Sequence, residues 1–493
     1  GPPSRPPPPK AKSERRSHKS RIRAARHALR DKAAAEGGLG SFPIVYHINL
    51  VAGMGSKLLG FLVRGTWTWV YMLGRLMLFV VVLLPGFLVM ALYYARHPVR
   101  NVRYHSGPGR PSSRHLLDVY LPVAKGGEEG EDVGTGKAPV LVFLTGGAWI
   151  IGYKMWGALL GRALCPHGVM VVIPDYRNFP QADVTKMMGD VDMAIQWVRD
   201  NVDAFGGDRD NITLVGQSAG AHLGSMVLLT KAAAACRAES LSMLNKFSFA
   251  TVDEGVDFDL AIHQGLTDPG ADADADAEVD ADDGGDQGEA EAKCWEKERA
   301  ASIIPSHKRV RGFTTQGPDQ WKPTDLRGFI PISGPYDLVY LSDHFQSRGL
   351  DKRILEWIFQ KAFEKYSPTI LARNLSESNI DLGRYFPPTC VIHGANDVSA
   401  PCEGGVQFHA ALAQLGVDAE LVVYPSMTHT DPILEKPFAG DQQLHRDIYE
   451  RLRKWGRKGA GAHRFVEFDD RMGCCRRVAP QLMIDVARMA NPF

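Results

Sequence analysis

Asn211-Ile212-Thr213-Leu214-Val215-Gly216-Gln217-Ser218-Ala219-Gly220-Ala221-His222 reads as a short apolar strand, a Gly-x-Ser-x-Gly turn and the start of a helix rich in Ala and Leu. The spacing has a steric reason. A serine on so tight a strand-to-helix turn is forced into an unfavourable backbone conformation, and Gly216 and Gly220 carry no Cβ to clash beside it. The hydroxyl of Ser218 then stands clear of the backbone at the positive end of a helix. Taken alone, the pattern equally fits a solvated turn, since glycine and serine are common there. The flanking sequence decides between the two.

Working outward, Leu116-Leu117-Asp118-Val119-Tyr120-Leu121, Val140-Leu141-Val142-Phe143-Leu144 and Val169-Met170-Val171-Val172-Ile173 read as strands, and Asp183 to Val202 has helical spacing. Beyond the turn, a helix is expected from Ser218 to about Lys231. Then come strands at Gly328–Ile332, Thr389–His393 and Ala419–Tyr424, with helices near Lys352–Phe363, Glu403–Leu415 and Asp441–Trp455. Strands alternating with helices imply an α/β domain with a mostly parallel sheet flanked by helices. The domain is placed at residues 97–460. It is interrupted over 253–325 by an acidic stretch centred on Ala271-Asp272-Ala273-Asp274-Ala275-Asp276. So long a loop fits a compact domain only as an insertion, expected to be solvated and disordered. It lacks the spacing of a calcium loop.

A serine hydroxyl needs a base, usually an imidazole oriented by a carboxylate. Two loops downstream supply both in order. His393-Gly394-Ala395-Asn396-Asp397 follows a strand and offers Asp397 as the acid; Tyr424-Pro425-Ser426-Met427-Thr428-His429 follows the next strand and offers His429 as the base. Competing side chains are given structural roles: His393 at its strand end, His222 packed within the helix, and Asp431 and Glu403 off the expected offset. The reaction also needs donors for the charge developing on the substrate oxygen. Leu144-Thr145-Gly146-Gly147-Ala148-Trp149 follows a strand, and consecutive glycines let backbone N–H groups face a ligand; the N–H of Ala219 completes the set.

The ends of the chain differ from its middle. Within 493 residues of net charge +1, residues 1–40 form a basic, proline-rich arm with few large apolar side chains, expected to be disordered or to serve as a transit peptide. Residues 41–96 are read as membrane-anchoring. Leu76 to Tyr94 carries no charge and as a helix spans about 28 Å, close to the hydrocarbon core of about 30 Å. A weaker stretch from Ile48 to Tyr71 is a second span, a re-entrant segment or an interfacial helix, and the choice sets the topology. No finger, helix-turn-helix or RNA-binding pattern accompanies the basic arm, so nucleic acid is not an expected partner. The 7 cysteines show no metal spacing, and neither metal nor organic cofactor is expected. Cys474-Cys475 is a weak candidate for S-acylation. Residues 461–493 form an extension without a legible pattern.

With these residues in view, the chain resembles the isoprenylcysteine methylesterases of plants and algae, membrane-bound relatives of the hormone-sensitive-lipase and carboxylesterase branch of α/β-hydrolases. The resemblance rests on Thr145 to Lys154, on Asp175-Tyr176-Arg177-Asn178-Phe179-Pro180 and on Gly216 to His222. Asp343-His344-Phe345 with Arg348-Gly349-Leu350, and Thr428-His429-Thr430-Asp431, add to it. Thr145 stands where the wider lipase branch usually has His, as in the methylesterase pattern. The resemblance implies Ser218, Asp397 and His429 as a catalytic triad, and Gly146, Gly147, Ala148, Gln217 and Ala219 as the lining of the oxyanion and substrate site. It implies prenylcysteine methyl esters as substrates, membrane lipid as a partner, and a place at the endoplasmic reticulum or Golgi membrane. Two other readings keep the same residues: a broad carboxylesterase or arylformamidase, and a non-catalytic ligand receptor, against which the presence of all three triad members counts.

Overall fold

The computed structural model describes residues 67–96, 99–105, 112–122, 136–248, 320–348 and 352–459, and near the C-terminus residues 463, 465–470 and 477–491. The expectations for the basic arm, the body of the acidic insert, most of the Ile48–Tyr71 stretch and Cys474-Cys475 lie outside the described residues.

Eight strands form one sheet: β1 (Val99–Arg103), β2 (Leu116–Tyr120), β3 (Ala138–Leu144), β4 (Met170–Pro174), β5 (Gly207–Gln217), β6 (Leu326–Ile332), β7 (Thr389–Gly394) and β8 (Ala419–Tyr424). Their order is β1-β2-β4-β3-β5-β6-β7-β8. The β1–β2 and β2–β4 pairs are antiparallel and the rest parallel. The helices are α1 (Trp67–Val82), α2 (Leu84–Arg96), α3 (Ala158–Leu164), α4 (Val184–Asn201), α5 (Ala219–Ser248), α6 (Leu338–Ser347), α7 (Arg353–Ile358), α8 (Pro368–Glu377), α9 (Cys402–Gln414), α10 (Glu435–Ala439), α11 (Gln443–Trp455) and α12 (Gln481–Ala490).

The central strands β2, β3 and β4 are buried at every position, as a sheet covered on both faces requires. This is why they read as continuous apolar runs rather than alternating ones. Strand β1 went unread because Val99-Arg100-Asn101-Val102-Arg103 has only two apolar residues, and its pairing with β2 is irregular between Val99 and Val102. Helix α5 runs past Lys231 because Ala232-Ala233-Ala234-Ala235 continues it with strong helix formers. The stretch from Lys352 keeps its helix only to Ile358, since Gln360 and Lys361 adopt positive φ. Trp321, assigned by sequence to the insert, is buried and donates its indole N–H to Asp192 Oδ1 at 2.8 Å.

The charge-free stretch Leu76–Tyr94 is not one straight helix. Among the described residues no single helix is long and apolar enough to cross a membrane; Val70–Val82 and Leu84–Arg96 meet that test only as a pair, bent by 65°. Pro85 is the physical cause, since it cannot donate to the preceding turn and its ring crowds the carbonyl there. One stripe of the pair, Phe79, Leu83, Gly86, Met90 and Tyr94, is buried in the hydrophobic core. Gly86 permits the close approach: a Cβ there would lie 2.6 Å from the ring of Phe438. Phe87 meets Phe438 and Trp156 edge-on, Tyr93 stacks on Tyr120, and the Tyr94 and Tyr153 hydroxyls are 3.3 Å apart.

Candidate active site

Strand β5 delivers Ser218 at its C-terminal end, with α5 beginning at the next residue. Ser218 has φ 51°, the left-handed conformation expected of a serine on a tight elbow. The two flanking glycines are obligatory. A Cβ on Gly216 would lie 2.6 Å from Gly220 O, and one on Gly220 would lie 2.2 Å from Leu144 O. The Ser218 N–H is committed to Ile332 O at 2.9 Å, which fixes the elbow against β6.

The loops after β7 and β8 bring the other two residues to this point. His429 Nε2 lies 2.9 Å from Ser218 Oγ, and His429 Nδ1 lies 2.7 Å from Asp397 Oδ2. Asp397 Oδ1 accepts the N–H groups of Ser399 and Ala400, each at 2.9 Å. Burial by itself pushes the Asp397 carboxyl up, but the imidazoles of His429 and His393 outweigh it and hold the group well below the usual carboxylate range. An ionised acid therefore faces Nδ1, which keeps the Nδ1 proton in place and leaves Nε2 to accept from the serine.

The chain after β3 supplies the third part. Gly147, Ala148 and Trp149 have φ of 130°, 49° and 61°. A Cβ on Gly146 would lie 2.0 Å from Gln217 Oε1 and 2.9 Å from Ser218 Cβ, so the turn is pressed against Ser218 and Gln217 closes over Gly146. The segment Asp175–Phe179 braces this turn. Tyr176 Oη donates to Thr145 O at 2.7 Å, Asn178 Nδ2 to Gly152 O at 2.8 Å, and Phe179 N to Trp149 O at 2.8 Å. Asp175 accepts the Lys154 N–H at 2.7 Å, and Arg114 donates to Gly152 O. Burial pushes Asp175 up to about 6 against the pull of Arg114 and Lys154.

The competing side chains face elsewhere. His222 Nε2 bonds Tyr366 O at 2.7 Å, and its Nδ1 accepts the Trp149 indole N–H at 3.3 Å. Burial lowers its pKa to about 4, so it is a neutral brace for the turn that carries Trp149. His393 Nε2 bonds Ala400 O at 2.7 Å and lies 3.2 Å from Asp397 Oδ2. Glu403 is exposed on α9. Asp431 accepts the Thr428 N–H at 3.0 Å and turns its other oxygen towards Arg488.

Two sets of positioning contacts were not read from the sequence, which named His344 and Arg348 only as part of the resemblance. His344 Nε2 and Arg348 Nη1 both donate to Val398 O, at 2.8 and 2.6 Å, and so clamp the chain one residue past Asp397. Gly349 and Leu350 of that motif lie outside the described residues. The second group ties the loop bearing His429 to α12. Arg488 Nε donates to Asp431 Oδ1 at 2.7 Å, and Asn491 Nδ2 donates to Thr430 Oγ1 and Glu435 Oε1 at 2.7 and 2.8 Å. Thr430 Oγ1 also bonds Glu435 Oε1 at 2.8 Å. Among the described residues no cluster of His, Cys, Asp and Glu could hold a metal.

Against this geometry, the comparisons with known proteins are consistent. Family models described as BD-FAE and as the prolyl oligopeptidase family match residues 117–262 and 327–463. The isoprenylcysteine alpha-carbonyl methylesterase of Arabidopsis thaliana is 30% identical over 449 residues, covering 90% of this chain and 82% of that protein. A probable isoprenylcysteine alpha-carbonyl methylesterase of Oryza sativa subsp. japonica is 31% identical over 404 residues, covering 81% and 74%. Esterase B of Lactobacillus Rhamnosis (HN001), a solved structure, is 13% identical and covers 78% of this chain and 96% of its own, with a TM-score of 0.45. With its α/β-hydrolase fold, the chain belongs to the isoprenylcysteine alpha-carbonyl methylesterases.

Proposed function

We propose that the chain hydrolyses the carboxyl methyl ester of C-terminal prenylcysteine, with Ser218 as nucleophile, His429 as base and Asp397 as the acid that orients it. The observation that carries the reading is the unbroken chain from Ser218 Oγ through His429 to Asp397 Oδ2, at 2.9 and 2.7 Å, beside a turn built to receive an oxyanion. The names of the Arabidopsis and rice relatives supply the substrate.

The chemistry follows from the placement. Ser218 Oγ attacks the ester carbonyl carbon while His429 Nε2 takes its proton. Negative charge collects on the former carbonyl oxygen. The Ser218 N–H is already used by Ile332, so the elbow contributes the N–H of Ala219, joined by the turn at Gly146, Gly147 and Ala148. Gln217 holds that turn in place. Collapse of the intermediate breaks the bond to the methoxy oxygen, which takes the proton from His429 and leaves as methanol. Water, deprotonated by the same imidazole, then releases the cysteine carboxylate. No step in this scheme calls for a metal or an organic cofactor. By the same reading the enzyme works at a membrane of the endoplasmic reticulum or Golgi, where prenylated proteins or peptides concentrate; imaging a tagged full chain tests that placement.

The test is methanol release from farnesyl- and geranylgeranyl-cysteine methyl esters by the detergent-solubilised chain. Ser218→Ala is expected to lower kcat by about 10⁴- to 10⁶-fold while the protein stays folded. Turnover of aryl acetates alone, with both prenylcysteine esters left intact, would replace this reading with a broad carboxylesterase.

A further inference from the structure

The stripe of α1 and α2 opposite the buried one is apolar and exposed. Tyr71 and Val81 are each 64% exposed, and Met77, Leu78, Leu84, Leu88 and Leu92 are exposed with them. Helix α12 packs along α1 and adds two more large side chains, Leu482 and Met489. Arg75 joins the two helices by donating to the carbonyls of Met489, Ala490 and Asn491 at 2.9, 3.3 and 2.6 Å. Most of the large exposed hydrophobic side chains among the described residues lie on these three helices. Patches of that kind mark interaction sites.

We infer that this face rests on the surface of a lipid bilayer, with α1 and α2 lying in the plane of the membrane rather than crossing it. Three observations argue for that occupant and that orientation. The charge pattern suits lipid: α1 and α2 contain no acidic residue, and their only charges are Arg75 and Arg96. The face offers almost no side-chain hydrogen-bonding groups, whereas a protein interface carries about one hydrogen bond per 100–200 Å². The inward stripe of the pair is sealed to the catalytic domain through Phe438, Tyr120 and Tyr153. A spanning helix needs about 30 Å of its length in hydrocarbon, which here would drag those elements in with it.

The face also adjoins the site. Arg75 donates to Asn491 O at 2.6 Å, and Asn491 Nδ2 donates to Thr430 Oγ1 at 2.7 Å, one residue past His429. Only the link from this face to catalysis rests on the proposed substrate, whose prenyl chain partitions into lipid.

The test places a nitroxide, on a genetically encoded non-natural residue, at Tyr71, Leu78, Val81, Leu88, Leu92 and Leu482 of the full chain. Collision depths are then read with vesicles of phosphatidylcholine and phosphatidylserine. All six are expected at one shallow depth of about 5–10 Å. Depths running from one interface through the bilayer centre to the other would establish a spanning pair and overturn the inference. Labels coupled to one another in a dimer, or shielded from lipid by residues 1–66, would overturn it too. In parallel, Leu78→Gln, Val81→Gln and Leu482→Gln combined are expected to keep turnover of a water-soluble ester and to lose at least about tenfold in turnover of vesicle-borne farnesylcysteine methyl ester. Unchanged turnover on vesicles would likewise count against it. If the parent chain leaves the prenylcysteine ester intact in detergent while the depths come out shallow, the substrate reading fails and the membrane face stands.

Discussion

Arg488 and Asp431 stand 57 residues apart in sequence, and Arg488 Nε donates to Asp431 Oδ1 at 2.7 Å. Asp431 is two residues past the catalytic base proposed here and is 1% exposed, while Arg488 belongs to the C-terminal helix. The last helix of the chain thus helps set the position of an imidazole that must meet a hydroxyl within a few tenths of an ångström.

Arg488→Ala removes that bond and leaves a buried carboxylate with one partner fewer, a loss of about 1–3 kcal/mol. If about 1 kcal/mol of this falls on the placement of His429, kcat drops about fivefold while KM holds. Arg488→Lys restores part of the rate, because an ammonium can still reach the carboxylate. Steady-state kinetics on a soluble ester, with thermal unfolding of each variant, separate misplacement from general loosening.

Glu435 is fully buried under the same loop, and its carboxyl is pushed up to about 7 by burial first and the nearby Asp431 second. A carboxyl raised in the folded state costs stability as the pH climbs from its unfolded value of about 4.3 through about 7. Such a shift corresponds to at most about 4 kcal/mol. Glu435→Gln keeps an oxygen for Thr430 and Asn491 and removes the titration. Its unfolding midpoint in urea is expected to match the parent near pH 4 and exceed it at pH 8. An equal response to pH in both proteins would show that Glu435 does not carry this dependence.

Gly146→Ala puts a methyl group 2.0 Å from Gln217 Oε1 and 2.9 Å from Ser218 Cβ. The amide end of Gln217 can swing aside, so the protein folds, but the turn that faces the substrate oxygen shifts. A loss of about 10²–10³ in kcat is expected, the range for removing one oxyanion donor. Gly220→Ala meets the backbone oxygen of Leu144 at 2.2 Å, which cannot swing aside, and no folded protein is expected. Circular dichroism distinguishes the two outcomes before any rate is measured.

Ser218, Asp397 and His429 were legible as candidates because each lies on the turn or loop just past a strand, and a strand end is fixed by the apolar run before it. Ser218, Asp397 and His429 needed only local pattern and chain order. Gly146 and Gly147 were legible for the same reason. The two clamps were not. That His344 and Arg348 hold Val398 O, or that Arg488 and Asn491 hold the loop of His429, depends on how distant helices pack, and no spacing within Leu338–Arg348 or Gln481–Asn491 announces a partner. The apolar stretch Leu76–Tyr94 was legible as apolar but not as two helices with a buried stripe: hydropathy records what avoids water, and a stripe buried in protein scores like one buried in lipid. Pro85 was the local sign of a break within it.

The seat of Gly86 against Phe438 bears on how this enzyme can be handled. Trimming the chain back to Arg96, the usual route to a detergent-free preparation, would strip the cover from Phe438, Tyr120 and Tyr153 and leave a sticky trench in the catalytic body. Repainting the outward positions with polar side chains, while keeping both helices, is the route to a well-behaved sample.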